Sequence, residues 1–315
     1  MNNEKMGNVL QLMGLVLGMS LFTVASLFFF QPLLIIFPVM FIIIGIKNGM
    51  VEGIISLMTT CTILAYIINP MIALYLFLVF APITITIIYT TKNRKNTMEV
   101  LLYSTVVLFA SILLLFTLVN ISDGNLLIQI EEMFKEILSL RLEALNDMGL
   151  TSYEILEDMN YLEDAFKQML LIAPATLLLL TLIISCINYS LSIVGLKKVG
   201  INVVNTPKFS RFRLPNNIAV GTIVMFVTVL IAKPLISEYF EAIVQNLMVL
   251  LGFMVLIQGL SIIDFFLIKI KVKTFFRFLF IFLTVIIAPL ITVVSTLGLI
   301  DVIFDFRKLR RKGSL

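Results

Sequence analysis

The chain of 315 residues contains no histidine, no tryptophan and only two cysteines. Without histidine, it lacks the commonest metal ligand and the usual acid–base side chain near neutral pH. Cys61 and Cys186 both fall inside apolar runs, which argues against a disulfide framework or a thiolate metal site. The sequence also lacks a phosphate-binding loop, a dinucleotide fingerprint and a nucleophile elbow. We therefore predict a protein that is not an enzyme and has no catalytic residues, metal site or cofactor.

Charged residues are scarce at 13%, whereas hydrophobic residues make up 60% of the chain. A soluble globular domain has an apolar share nearer half, so that class is excluded. Apolar runs long enough to cross a hydrocarbon layer of ~30 Å recur from Val9 to Leu299. In lipid, backbone N–H and C=O groups must be hydrogen-bonded within the protein, which only helices and closed barrels achieve. The apolar runs lack the alternation of apolar and polar residues that barrel strands show, so they are predicted to be helices. The predicted fold class is all-α, a polytopic transmembrane helix bundle of about 8–10 membrane segments that carries an extracytoplasmic amphipathic helical hairpin.

Eight spans can be placed before the end of the chain. They cover residues 9–30, 32–46, 49–68, 71–89, 98–120, 168–195, 216–236 and 242–268. Gln31-Pro32 separates the first two spans, and Asn69-Pro70 is predicted to form a tight turn. Pro38 lies inside the short second span, which predicts tilting, a kink or a partly re-entrant path. The first span is expected to be a retained helix rather than a signal peptide, because no small-residue cleavage site follows it.

The last apolar segment, 275–305, is too long for one straight span. A helix of this length would measure ~46 Å, and Pro289 near its middle favours a bend. We predict a broken or hairpin segment with arms near 275–288 and 290–304, which returns the carboxyl terminus to the cytoplasm.

Residues 121–167 hold eleven acidic and three basic residues, a net charge of −8 in a chain whose total is +4. Apolar residues at three- and four-residue spacing predict an amphipathic helix over 125–147, ended by Gly149. Thr151 and Glu154 form a capping box that opens a second helix, which continues into the next span and bends near Pro174. Three roles remain open for this insert. It caps an outward-facing cavity, it concentrates cations, or it is a solvated face that rests on the bundle. The predicted domains are thus 1–120, a transmembrane bundle of about five spans; 121–167, the acidic hairpin; and 168–315, a second bundle with a basic tail.

The basic residues indicate orientation rather than nucleic-acid binding, because they cluster at the ends of apolar spans. We expect a multi-pass protein of the bacterial plasma membrane, with a cytoplasmic amino terminus and residues 121–167 outside the cell. The expected partner is the lipid bilayer, with no nucleic acid.

Few polar side chains lie deep in the spans, and such residues are functional candidates by default. Asp301 and Asp305 are expected to pair with Lys308 and its neighbours. Glu52 and Asp264 lie near span ends, where they can pair with nearby bases. Asn188 and Gln258 lie deeper and suit hydrogen bonding between helices. No acidic residue lies at a span midplane, which argues against an ion-driven pump.

The first span contains Gly14 and Gly18, four residues apart. Small residues at this spacing let two helices approach closely, so the pair is a candidate for a helix–helix or partner interface.

Four stretches together resemble the YybS-like family of bacterial membrane proteins, whose function is not established. They are a proline-containing run from Phe37-Pro38 to Gly49, a bent helix from Ala173-Pro174 to Lys198, the motif Phe212-Arg213-Leu214-Pro215, and the ending from Leu297 to Arg307. The first five spans are also similar in layout to the substrate-binding subunits of energy-coupling-factor transporters. That resemblance implies that Gly14 and Gly18 contact a transmembrane coupling subunit, which works with ATPases.

Two functions remain open. The first is a substrate-binding or transport subunit for a small solute, without an ATPase of its own. The second is a non-transporting membrane scaffold in envelope assembly or sporulation. The substrate-binding residues are unknown.

Overall fold

The computed structural model describes residues 2–122, 124–148, 151–201, 208–215, 217–305 and 307, with side chains assigned from residue 12 onward apart from those of residues 122 and 152. The described chain is built of helices and their connections. These helices are α1 (Asn2–Phe29), α2 (Pro38–Lys47), α3 (Met50–Ile67), α4 (Pro70–Lys92), α5 (Thr97–Ser122), α6 (Leu126–Asp147), α7 (Ser152–Lys198), α8 (Ile218–Ala232), α9 (Phe240–Lys269), α10 (Thr274–Ile286) and α11 (Ala288–Phe304). Short 3-10 turns cover Gln31–Ile36 and Phe209–Arg211.

Six helices in the described ranges are long and apolar enough to cross a membrane: α1, α3, α4, α5, α7 and α9. The bent pair α10 and α11 makes a seventh if it counts as one span, and Gln31–Lys47 and Ile218–Ala232 are shorter apolar segments. The predicted all-α, polytopic helix bundle is therefore confirmed. Two predicted spans, the second and the seventh, are shorter than a full crossing.

The chain divides into two compact units, 1–163 with 177–205 and 164–176 with 206–315. In the first unit, α3 packs against α1, α2 and α4, and α4 also packs against α5. The tightest approach joins α2 and α3: a Cβ on Gly53 would lie only 2.7 Å from the Cα of Gly45. Only glycine permits this distance, so the two backbones meet directly. The core around them is hydrophobic and includes Phe37, Phe41, Ile42, Leu57, Ile83 and Ile87.

In the second unit, α11 lies along α9, and α8 and α10 also contact α9. Glycines again set the closest approach. A Cβ on Gly259 would collide with the backbone carbonyl of Val294, and a Cβ on Gly298 would collide with that of Val255. Nothing in the sequence analysis singled out this pair.

Prolines mark the breaks in the apolar segments. Pro38 is the first residue of α2 rather than an interior kink, because a 3-10 turn precedes it. The predicted break of segment 275–305 is confirmed: α10 and α11 meet at 106°. Pro289 lies in the first turn of α11, where its missing N–H leaves no helical hydrogen bond unmade. The return of the tail to the cytoplasm stays a prediction.

The two helices predicted for the hairpin are confirmed. The helix predicted over 125–147 is α6, and the capping box between Thr151 and Glu154 opens α7. The predicted end at Gly149 lies outside the described residues. The 47 residues of α7 make a helix of ~70 Å, more than twice the hydrocarbon thickness. About half of it therefore lies outside the membrane.

Candidate functional site

One face of α7 carries four polar side chains in the interior of the first unit. Thr181, Ser185, Asn188 and Ser192 are each fully buried. Their spacing of four, three and four residues places them on one side of the helix. Buried hydroxyls in helices commonly donate to the carbonyl four residues earlier, as those of Thr23, Thr60 and Thr84 do here. On the α7 polar face, Thr181 donates to the carbonyl of Leu178 at 2.8 Å, whereas the hydroxyls of Ser185 and Ser192 make no hydrogen bond with a described residue.

Three oxygen atoms of this face have no hydrogen-bond partner among the described residues. They are Ser185 Oγ, Asn188 Oδ1 and Ser192 Oγ. Leaving a buried polar group unsatisfied costs ~1–3 kcal/mol, so three on one face call for an explanation. Hydroxyls can donate and accept, whereas the amide oxygen can only accept. Each of these three oxygens could therefore accept a hydrogen bond, and the two hydroxyls could also donate one.

The α7 polar face packs against the broken segment Gln31–Lys47. The amide nitrogen of Asn188 donates to the carbonyl of Ile35 at 2.9 Å and to that of Ile184 at 2.9 Å. One turn beyond Ser192, a Cβ on Gly195 would collide with the side chain of Ile43. Ile35 belongs to the 3-10 turn and Ile43 to α2. Broken helices that expose backbone carbonyls to polar side chains are typical of binding sites in membrane transporters.

The predicted candidates fall into different places. Asn188 lies at the centre of the α7 polar face, and its hydrogen bond to Ile35 is of the predicted inter-helix kind. Glu52 lies in the first turn of α3, where its carboxylate covers Gly49 and makes no ion pair with a described residue. A carboxylate near a helix amino terminus is stabilised by the helix dipole.

Gln258 and Asp264 lie on α9, in the second unit. The amide nitrogen of Gln258 donates to Asp301 Oδ2 at 2.7 Å, and its oxygen accepts from the backbone N–H of Leu214 at 3.0 Å. Asp264 pairs with Arg277, whose Nη2 lies 2.6 Å from Oδ1. The expected hydrogen bonding and charge pairing are therefore present, and these two residues stabilise the packing around α9.

Arg307 is a buried polar residue that the sequence did not single out as a candidate. Its guanidinium is fully buried and pairs with Asp301 at 2.9 Å. It also donates to the carbonyls of Ser210 and Phe212 and to the hydroxyl of Ser261. The expectation that Asp301 pairs with a neighbour of Lys308 agrees with this contact, whereas Lys308 itself lies outside the described residues. A basic tail gives no signal that one of its arginines is buried.

Gly14 and Gly18 lie on an exposed face of α1, and a Cβ built on either would meet no atom within 4 Å. The predicted interface is thus not made by the described part of this chain, and it stays a prediction for a partner.

An exposed ion pair joins the two helices of the hairpin. Arg141 Nε lies 3.0 Å from Asp158, and this contact raises the pKa of the guanidinium. The backbone N–H of Thr151, together with its hydroxyl, lowers the pKa of Glu154. Leu138 and Leu145 of α6 and Ile155 of α7 are buried.

On α6, Ile128 is 52% exposed, and further along the helix Met133, Ile137 and Leu140 are 55%, 60% and 60% exposed. Their spacing of four and three residues forms an exposed apolar stripe along the helix. Elsewhere among the described residues, no three Cys, Asp or Glu side chains come together as a group that could hold a metal ion.

These features define a polytopic helical membrane protein with a buried polar face next to a broken helix. Residues 12–302 match the family described as "Predicted membrane protein (DUF2232)", and the chain belongs to that family. No curated protein and no solved structure matches the chain.

Proposed function

We propose that this protein is a membrane-embedded binding or transport subunit for a small, uncharged polar solute. The observation that supports this proposal is the α7 polar face, where three buried oxygens lack hydrogen-bond partners among the described residues. The absence of charge on this face favours a neutral ligand, because a buried ion would need a compensating group. The 3-10 turn Gln31–Ile36 has weaker hydrogen-bond geometry than an α-helix and is the element we expect to move when the solute enters.

The subunit would act without catalysis and would take energy from a partner. The exposed Gly14 and Gly18 face supports an association with a transmembrane coupling subunit that carries ATPases, as the sequence resemblance implies. We further propose residence in the bacterial plasma membrane, with the amino terminus and the basic carboxyl tail inside and residues 121–167 outside. A reporter after Leu315 that was accessible only from outside would contradict this orientation.

The solute site is tested by the double variant Ser185→Ala/Ser192→Ala. Neither hydroxyl has a hydrogen-bond partner among the described residues, so its removal should leave folding intact but weaken solute binding. The purified protein is screened by thermal unfolding against a panel of sugars, nucleosides and amide-containing vitamins. We expect at least one compound to raise the unfolding temperature of the natural protein, and the double variant to lose most of that rise.

The matched control is Thr84→Val/Ser104→Ala. These hydroxyls are equally buried, but each donates to a backbone carbonyl of its own helix, at 2.6 and 2.7 Å. The control should keep the ligand-induced rise. If no panel member stabilises the natural protein, or if both double variants respond alike, the assignment of the α7 polar face is wrong.

A second function is favoured by the exposed apolar stripe Met133, Ile137 and Leu140. A stripe of this kind on a helix outside the membrane suits the docking of another protein. In this alternative, the protein is a scaffold in envelope assembly or sporulation and recruits its partner through the hairpin.

A further inference from the structure

An apolar cavity of about 310 Å³ lies in the second unit, where α9, α10 and α11 meet. Four of its lining side chains belong to α9 between Ile262 and Leu267, Ile270 follows the end of that helix, and Phe280 of α10 and Leu297 of α11 complete the lining. The volume is at the lower end of the range for small-molecule sites. Since its lining side chains are all hydrophobic, the cavity is suited to a hydrocarbon group.

Three lysines lie close in sequence to Ile270, which lines one end of this cavity. α9 ends at Lys269, and α10 begins at Thr274, so Lys269, Lys271 and Lys273 lie in or beside the connecting turn. All three are exposed, and none forms an ion pair within the described ranges. The nearest buried carboxylate along α9, Asp264, is already paired with Arg277. The turn therefore carries three positive charges without compensation.

The cavity and the lysines adjoin each other through Ile270. This residue lines the cavity and is flanked in the chain by Lys269 and Lys271. Lys271 adopts a left-handed backbone conformation with φ of 59°, which ends the helix and turns the chain sharply. From Ile270 the cavity extends along α9 to Ile262, a distance of ~12 Å along the helix axis. A charged end and an apolar interior thus follow one another along the helix.

We propose that this arrangement binds an anionic phospholipid of the surrounding bilayer. One acyl chain occupies the cavity, and the phosphate group contacts the lysines of the turn. Basic residues at a membrane surface attract anionic lipids more strongly than zwitterionic ones, whose headgroup carries a compensating positive charge. The bound lipid packs against α10 and α11 and so supports their 106° junction. This inference does not depend on the solute site, which lies in the other unit.

Lipid retention tests the proposal. The full-length protein is reconstituted into nanodiscs with equimolar phosphatidylglycerol and phosphatidylcholine, transferred to detergent, and analysed by native mass spectrometry. We expect phosphatidylglycerol to be enriched over phosphatidylcholine on the natural protein. Each lysine that is replaced should reduce the enrichment of phosphatidylglycerol about fivefold. In the triple variant Lys269→Gln/Lys271→Gln/Lys273→Gln, the two lipids should therefore be retained in the ratio of the bulk mixture.

The matched control is Lys92→Gln/Lys197→Gln/Lys198→Gln, which removes the same charge from the exposed ends of α4 and α7. It should keep the enrichment. If both triple variants lose the phosphatidylglycerol enrichment equally, the effect comes from general surface charge and the proposed site is wrong. Equal retention of both lipids by the natural protein would also overturn the proposal.

The acyl-chain part is tested by Leu297→Phe, which fills the cavity without changing charge. It should lower the amount of retained phosphatidylglycerol at an unchanged unfolding temperature of the delipidated protein. Undiminished retention would show that the cavity holds no acyl chain and would overturn the proposal. If this variant fails to fold, the lysine variants still decide the headgroup contact, because their substitutions lie at exposed positions.

Discussion

Single buried residues decide how the polar groups of this protein are used. In the second unit, each N–H of the Arg307 guanidinium finds an acceptor, and Asp301 Oδ2 accepts from both Arg307 and Gln258. The many hydrogen bonds of this charge pair favour a structural role, although Asp301 Oδ1 has no hydrogen-bond partner among the described residues. On α7, the oxygens without a partner in the described residues belong to uncharged side chains that follow one face of the helix. Buried polar residues of similar appearance in the sequence therefore differ in how far their hydrogen bonds are satisfied.

At this scale, we predict that Arg307→Met destabilises the protein by about 3–5 kcal/mol, because it leaves the Asp301 carboxylate buried without a partner. The free energy of unfolding in mixed micelles is the measurement. Arg141→Gln serves as the control: its ion pair with Asp158 is exposed, so little change is expected. Equal effects of the two substitutions would contradict the structural role of Arg307.

At the scale of elements, prolines in apolar helices are accommodated in two ways. Pro38 and Pro289 occupy first turns, where no hydrogen bond is lost. Pro174 lies inside α7, and here Asn246 of α9 inserts its amide into the helix. Its oxygen accepts from the N–H of Ala175 at 2.7 Å, and its nitrogen donates to the carbonyl of Leu171 at 2.6 Å. The side chain thus bridges the pair of backbone groups that the proline separates.

We predict that Asn246→Leu destabilises the protein by about 2 kcal/mol or more, because Ala175 and Leu171 lose their partners in an apolar setting. In a Pro174→Ala background, the backbone of α7 can close its own hydrogen bond, so the same substitution should cost less. A double-mutant cycle on unfolding free energies measures the coupling, expected at ~1 kcal/mol. Additive effects would show that Asn246 does not compensate for the proline.

For the whole molecule, the two compact units do not follow chain order. Residues 177–205 group with the amino-terminal unit, although residues 177–198 belong to the same helix as residues 164–176 of the other unit. Predicted domains based on chain order alone therefore differ from this division. A single long helix, α7, contributes to the hairpin, to both units and to the proposed solute site.

At this scale, a photocrosslinker at position 137 tests the scaffold function. If the hairpin recruits a protein, membranes should yield an adduct of one defined mass, and Met133→Gln/Leu140→Gln should abolish it without affecting solute binding. Ser139 faces the opposite side of α6, so a crosslinker there is the matched control. The same adducts from both positions, or none from position 137, would remove the support for a scaffold.

The sequence predicted the structure correctly where the hydrophobic composition and the spacing of the apolar residues give a strong signal. Runs of apolar residues predicted the spans, three- and four-residue spacing predicted α6, and Thr151 with Glu154 predicted the start of α7. It was less successful for the short segments. The 15-residue α8 was predicted as an ordinary span, and the short second span was predicted to tilt, kink or be partly re-entrant but not to begin with a 3-10 turn, because hydrophobicity alone does not report backbone geometry.

The amino-acid sequence by itself determined that this is an all-α membrane protein with a charged helical hairpin, because the cost of unpaired backbone groups in lipid leaves apolar runs few alternatives. Only the tertiary structure decided which polar residues are satisfied. Asp301 meets Arg307 and Gln258 meets Leu214 through contacts between separate elements, whereas Ser185 and Ser192 meet no partner among the described residues. Hydrogen bonding depends on distances of about 3 Å between such elements, and the pattern of residues along one helix contains no information about those distances.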